Sequence, residues 1–247
     1  MQASKRRHVR PTMTGCVPLR VAVRTSLAFL ALSGAANAST YDAVADFSAT
    51  ANPGTVWSYL YTDSLQTTPS LLTTMLAVAP GVNDWWTGGS VPDSVIVGRN
   101  SSGMPYTSST VTYPTNELTM DPESGSAIVQ FTAPAAGTYA ISGEFTGIDS
   151  VGNSHPVEIL DNGTQIFKGT ISMYGLSDTF SLTETLKAGG TIDFEVLTGS
   201  SSSSCYYCYL STGLAATLTS TSVPEPGTLG LMGIAFAGLA LRRRRRN

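Results

Sequence analysis

The chain has 247 residues and a formal net charge of −3, a small figure that hides a strong segregation of charge. Of 14 lysines and arginines, six lie before residue 25 and five form the run Arg242–Arg246. Residues 39–222 keep only Arg99, Lys168 and Lys187 against 16 carboxylates, a net of −13, which excludes nucleic acid and anionic membranes as partners of this part and suits cations or neutral polysaccharide.

The chain opens on a basic leader carrying Lys5, Arg6, Arg7, Arg10, Arg20 and Arg24. An apolar stretch, "SLAFLALSGAA" at 26–36, follows, and then "ANAS" with Ala36 and Ala38 as the small residues of an A-x-A site. This order predicts a secretory signal peptide over 1–38, carried by the Sec translocon and cut by signal peptidase after Ala38. The leader is long enough that Met13 is an alternative start, and Arg6-Arg7 lies too far from the apolar core for a twin-arginine signal.

Residues 39–218 read as β-structure, one domain of ordinary size with a real core. In "TVWSYLYT" the alternation puts Trp57, Tyr59 and Tyr61 on one buried face. "SLLTTMLAVA" (70–79) is the one stretch that reads as a short helix, with a strand as the alternative. "GVNDWWTGGS" reads as a Gly-rich loop, and "SVIVGR" and "STVTY" as short β-branched strands. "SAIVQFTAPAAGTYAISGEFTG" is two strands joined by a Pro-Ala-Ala-Gly turn. In "VEILDNGTQIFKG" Asn162-Gly163 is the strongest short hairpin signal, and "TFSLTETLKAGGTIDFEVL" repeats the plan through Ala188-Gly189-Gly190. "STGLAATLTS" closes the domain, 200–204 is a serine loop and 219–222 a short linker. Many short strands with regularly spaced turns predict an all-β fold, a single antiparallel β-sandwich of jelly-roll type.

Residues that could carry chemistry are few. Cys205 and Cys208 lack the second ligand pair of a zinc site and the βαβ setting of a redox motif; in an exported chain they predict a local disulfide. His155 is the sole histidine after the leader, and its "NSHPV" context reads as structural, without the nucleophile elbow or zinc-protease motifs of hydrolases. Carbohydrate rings stack their C–H faces on aromatic side chains, which makes Trp85, Trp86, Tyr206 and Tyr207 candidate glycan contacts; for Trp85 and Trp86 the competing role is a plug at the end of the sandwich. Asp149, Asn153 and Asp161 lie near turns and are the candidate ligands of a structural calcium; no other cofactor is expected. The reading is of a non-enzymatic protein. The alternative is a polysaccharide hydrolase using a carboxylate pair scattered in sequence.

The chain ends on Val223, Pro224, Glu225 and Pro226, an apolar run over 228–241, and Arg242, Arg243, Arg244, Arg245 and Arg246. As a helix the run is about 21 Å long against about 30 Å of hydrocarbon, a marginal transmembrane span. The arginines act as a stop-transfer signal that keeps the C-terminus cytoplasmic. "VPEP", an apolar span and an arginine cluster over 223–247 resemble the PEP-CTERM sorting signal of exosortase substrates in Gram-negative bacteria. The resemblance implies recognition at Val223–Pro226 by an exosortase, an inner-membrane intermediate, and delivery to the cell surface or an exopolysaccharide matrix. A second resemblance rests on "VQFTAPAAGTYAISGEFTGID", "VEILDNGTQIF" and "LKAGGTIDFEV". These are similar to jelly-roll, carbohydrate-binding-module-like domains of secreted bacterial proteins and imply a glycan-associated or structural body.

Overall fold

The computed structural model describes residues 38–63, 68–88, 94–122, 125–198 and 209–222. Among these there is no helix. The strands in chain order are β1 (Ala38–Asp42), β2 (Trp57–Tyr61), β3 (Ser70–Leu71), β4 (Thr74–Ala79), β5 (Val82–Trp86), β6 (Ile96–Asn100), β7 (Tyr106–Ser108) and β8 (Val111–Tyr113). There follow β9 (Leu118–Asp121), β10 (Ala127–Thr132), β11 (Gly137–Gly147), β12 (His155–Asp161), β13 (Thr164–Ile171), β14 (Ser177–Leu186), β15 (Thr191–Val196) and β16 (Thr212–Ser222).

All pairings are antiparallel. One sheet runs β14-β11-β16-β9-β6-β5-β4, with β1 also on β16; a second runs β13-β12-β15-β10-β2-β3; and β7 and β8 pair as a separate two-stranded hairpin. β16 is flanked along its length, by β11 on one edge and by β9 and then β1 on the other. The inward positions of both sheets alternate with outward ones, as a sandwich requires. Val97, Leu118, Met120, Phe145, Leu214 and Leu218 of the first sheet meet Trp57, Tyr59, Val129, Phe131, Ile159 and Phe194 of the second. An aromatic seam crosses this core: Phe131 touches Trp57 at 5.3 Å and Tyr139 at 5.6 Å between ring centroids, Trp57 touches Phe194 at 6.4 Å, and Phe194 touches Phe180 at 5.6 Å. Separations of this size are those at which tilted aromatic pairs attract beyond their area burial.

The predicted sandwich is therefore present, and Asn162-Gly163 forms the predicted hairpin. Both residues have positive φ (46° and 79°), the geometry a two-residue turn matching strand twist demands. Three local readings change. Residues 70–79 form β3 and β4, not a helix: β4 pairs with β5 around Gly81, whose φ of 79° makes the tight turn, and this ladder overrides the helix preference of Leu, Met and Ala. The strands on either side of Ala188-Gly189-Gly190 do not pair with each other. β14 lies in one sheet and β15 in the other, as do β11 and β10, so both connections are corners between sheets. The corners lock together, because Gly189 N–H donates to Ala133 O at 2.8 Å and Ala133 N–H donates to Gly190 O at 2.8 Å. Finally, Thr219–Ser222 are the end of β16, paired with both β1 and β11, and not a linker.

Trp57 is 2% exposed and joins the two halves of the aromatic seam. Trp57→Ala is expected to cost about 3–5 kcal/mol, measured by urea unfolding of the purified protein, through lost burial and the cavity left behind.

Candidate functional site

The described residues offer a cleft of about 610 Å³ between β1, the 46–56 loop and the start of β2. That volume falls within the range of small-ligand sites. The loop is fixed by side chains. Asn52 behaves as a strand surrogate: its Nδ2 donates to Tyr59 O and Leu72 O, both at 2.7 Å, and its Oδ1 accepts from Tyr59 N–H at 2.9 Å. Gly54 N–H donates to Trp57 O at 2.7 Å, and Ser48 Oγ accepts from Ala51 N–H at 3.0 Å. Asp42 and Asp46 tighten the turn after β1, with Asp42 Oδ1 accepting from Val44 N–H and Ala45 N–H at 2.9 Å.

The lining suits a polyhydroxylated ring. Tyr41 is half-buried with its ring on Phe131 at 5.1 Å, and Trp57 turns its indole N–H toward the exposed Asp46 carboxylate at 3.4 Å. Thr40, Ser48 and Thr55 add hydroxyls. Sequence reasoning missed this site. Tyr41 and Asp46 belong to an ordinary strand end and turn, and only the folding of the 46–56 loop onto β2 brings them together.

The residues singled out from sequence are dispersed. Trp85 and Trp86 lie on strand β5 and not on a loop. Trp85 is 7% exposed, belongs to the core, and donates its indole N–H to Ser48 O at 2.7 Å, so its faces are closed to a sugar. Trp86 is on the opposite face of β5 and partly exposed. Tyr206, Tyr207, Cys205 and Cys208 lie outside the described residues, as do Ala36, Val223–Pro226 and Arg242–Arg246. Ala38 opens β1 and pairs with Thr221. Asp149 caps a turn, its Oδ1 accepting from Val151 N–H at 3.0 Å, and Asn153 O accepts from His155 Nδ1–H at 2.8 Å. Asp161 lies at the far end of β12, about 20 Å from His155 at the strand rise, and accepts from Asn162 Nδ2. Asp149, Asn153 and Asp161 therefore do not share one ion. His155 is buried, its Nε2 2.6 Å from Thr212 Oγ1 of β16, and burial lowers its pKa; its two ring nitrogens link the 149–154 loop to β16.

Two sets of buried and partly buried carboxylates lie away from the cleft. On the outward face of the eight-stranded sheet Asp84 is 1% exposed, and desolvation, with Asp121 nearby, pushes it up to about 7 although Tyr113 donates a hydrogen bond to it. Glu117 lies over Gly213 and accepts from Thr146 Oγ1 at 2.9 Å. On the outward face of the six-stranded sheet Glu195 is pushed up to about 7, by desolvation first and then by Asp193 and Glu158. Glu158 shares Lys168 at 3.6 Å.

The class of molecule defined so far is an all-β sandwich with one preorganised polar-aromatic cleft among the described residues. Its cellular route is fixed by the tail: residues 222–245 match the PEP-CTERM protein-sorting motif, which marks an exported protein processed by an exosortase. No curated protein matches the chain. Among solved structures, a family 35 carbohydrate binding module from Clostridium thermocellum is similar at 13% identity, with 76% of this chain and 100% of that one covered and a TM-score of 0.31. CBM35 from Paenibacillus barcinonensis is similar at 12% identity, covering 74% and 99%, with a TM-score of 0.30. The Podospora anserina GH26-CBM35 β-(1,4)-mannanase is similar at 13% identity over 76% of this chain but 28% of that enzyme, with a TM-score of 0.30. Likenesses this distant decide nothing about ligand or activity.

Glu195 gives a pH test. A carboxyl whose folded pKa is raised stabilises the fold below its unfolded value, near 4.5, and that contribution is lost as pH rises through about 7. Glu195→Gln is expected to raise Tm by a few °C at pH 8, with little change at pH 4, in parallel thermal melts of variant and parent.

Proposed function

We propose that this protein is a non-enzymatic, glycan-associated component of the cell surface or exopolysaccharide matrix, with the Tyr41–Asp46–Trp57 cleft as its sugar site. The single observation that carries the reading is the cleft itself. It joins an aromatic ring, a solvent-facing carboxylate and several hydroxyls on a loop fixed by Asn52 before any ligand arrives. Flat C–H faces of a sugar stack on Tyr41, and Asp46 with the Thr and Ser hydroxyls accepts and donates hydrogen bonds to its ring substituents. Binding and not hydrolysis is favoured because the lining contributes one carboxylate, Asp46, whereas glycoside hydrolysis uses a pair about 5–10 Å apart across the scissile bond. The buried Asp84 and the partly exposed Asp121 do not supply the pair, since they lie on the outward face of the eight-stranded sheet.

In this reading the protein enters the Sec pathway, is cut after Ala38, and is held in the inner membrane by 228–241 until the exosortase acts at Val223–Pro226. Cleavage after Ala38 leaves Ser39–Asp42 paired on β16.

Two experiments test the two halves. The exported protein, purified from cells, is titrated with the producing cell's exopolysaccharide and with a glycan array. Tyr41→Ala and Asp46→Asn are expected to weaken binding at least about tenfold while Trp86→Ala does not, since a stacked aromatic contributes roughly 1–2 kcal/mol; unchanged binding in both cleft variants overturns the site. The intact mass of the extracellular form is expected to lack Arg242–Arg246, and a mass that retains them overturns the processing.

A further inference from the structure

The outward face of the eight-stranded sheet holds a polar chamber that the glycan reading does not use. Asp84 on β5, Gly98 on β6 and Thr119 on β9 are consecutive cross-strand neighbours, and Asp121 follows Thr119 on the same face of β9. Gly98 makes the chamber: a Cβ there would stand 1.8 Å from Asp84 Oδ1, so the carboxylate occupies the space a side chain would fill. The chamber is roofed by Tyr113, whose hydroxyl donates to Asp84 Oδ2 at 3.2 Å, and Asn100 ties that roof down by donating to Tyr113 O at 2.9 Å. Ser211 Oγ donates to Asp121 Oδ2 at 3.1 Å.

Two oxygens in this chamber are buried without a hydrogen-bond partner, Asp84 Oδ1 and Thr119 Oγ1, on residues that are each 1% exposed. A buried polar atom left unmatched costs on the order of 1–3 kcal/mol, and a buried carboxylate more. Among the described residues, Arg99, Lys168 and Lys187 all lie away from Asp84 and Thr119. Arg99 follows Gly98 on β6 and so projects to the other face, while Lys168 is engaged by Glu158 on the other sheet. Lys187 lies at the corner turn beyond β14.

We propose that Asp84, Thr119 and Asp121 hold a calcium ion in this chamber, which fastens the β7–β8 hairpin to the sheet. The ligands are all oxygen, as a hard cation requires, and two carboxylates balance a divalent charge. Calcium, unlike magnesium, accepts an irregular set of carboxylate, hydroxyl and carbonyl oxygens. The site is distinct from the Asp149–Asp161 region and independent of the cleft.

The test uses the exported protein after dialysis against EDTA. Calcium is expected to raise Tm by several °C, and terbium is expected to luminesce through Tyr113 and to be displaced by calcium. Asp84→Asn is expected to abolish both signals and Thr119→Val to weaken calcium binding about tenfold, with Asp149→Asn unchanged. Thr119→Val removes one hydroxyl and keeps the side-chain shape, so it reports even where Asp84→Asn disturbs the fold. No calcium response up to about 10 mM in the folded parent overturns the proposal and leaves a shared proton or a water in the chamber. Binding that survives both variants also overturns it, because the ion then lies elsewhere.

Discussion

The packing around Phe131 is the contact on which the rest depends. Its ring is touched by Tyr41 from β1, Trp57 from β2 and Tyr139 from β11, so one side chain joins both sheets and the first strand of the domain. The inner wall of the cleft is thus the outer layer of the core. Tyr41 packs its ring on Phe131, and the indole of Trp57 reaches Asp46 while its ring packs against Phe131 and Phe194. A site built on a core ring inherits the rigidity of close packing, and that is the condition for binding without large ordering costs.

The two faces of the eight-stranded sheet answer different demands. Inward it presents Val97, Leu118 and Met120 to the sandwich; outward, one residue along, it presents Asp84, Thr119 and Asp121 beneath the 101–116 segment. Glycines open this outer face: Gly98 beneath Asp84 and Gly213 beneath Glu117 each yield their side-chain volume to a carboxylate. Burial then raises the pKa of both acids. The acidic composition is therefore not merely a solvated surface. Part of it is enclosed, where charge must be matched by something more than water.

The strands were legible in the sequence wherever alternation or a turn pair was strong, as in Trp57–Tyr61 and around Asn162-Gly163. What could not be read was which sheet a strand joins. Ala188-Gly189-Gly190 supports a hairpin or a corner equally well, and the choice was made by Ala133, over fifty residues away, through two hydrogen bonds. The same limit explains the tryptophans. "NDWW" between glycines looks like a loop, yet the Gly81 turn and the pairing with β4 and β6 make it a strand and bury Trp85. The cleft was invisible for a related reason: Tyr41 and Trp57 are far from any shared motif, and only the folded 46–56 loop makes them neighbours. The sorting tail, by contrast, was legible almost completely, because a membrane and a processing enzyme read it as linear chemistry.

β16 ends at Ser222, and the sorting motif begins on that same residue. The last strand of the fold therefore runs up to the first residue of the sorting motif. A pull applied along the axis of β16 would be borne by its hydrogen bonds to β1 and β11 together in shear, instead of opening them one after another. The strand that closes the core is also the one that would bear a load applied at its C-terminal end.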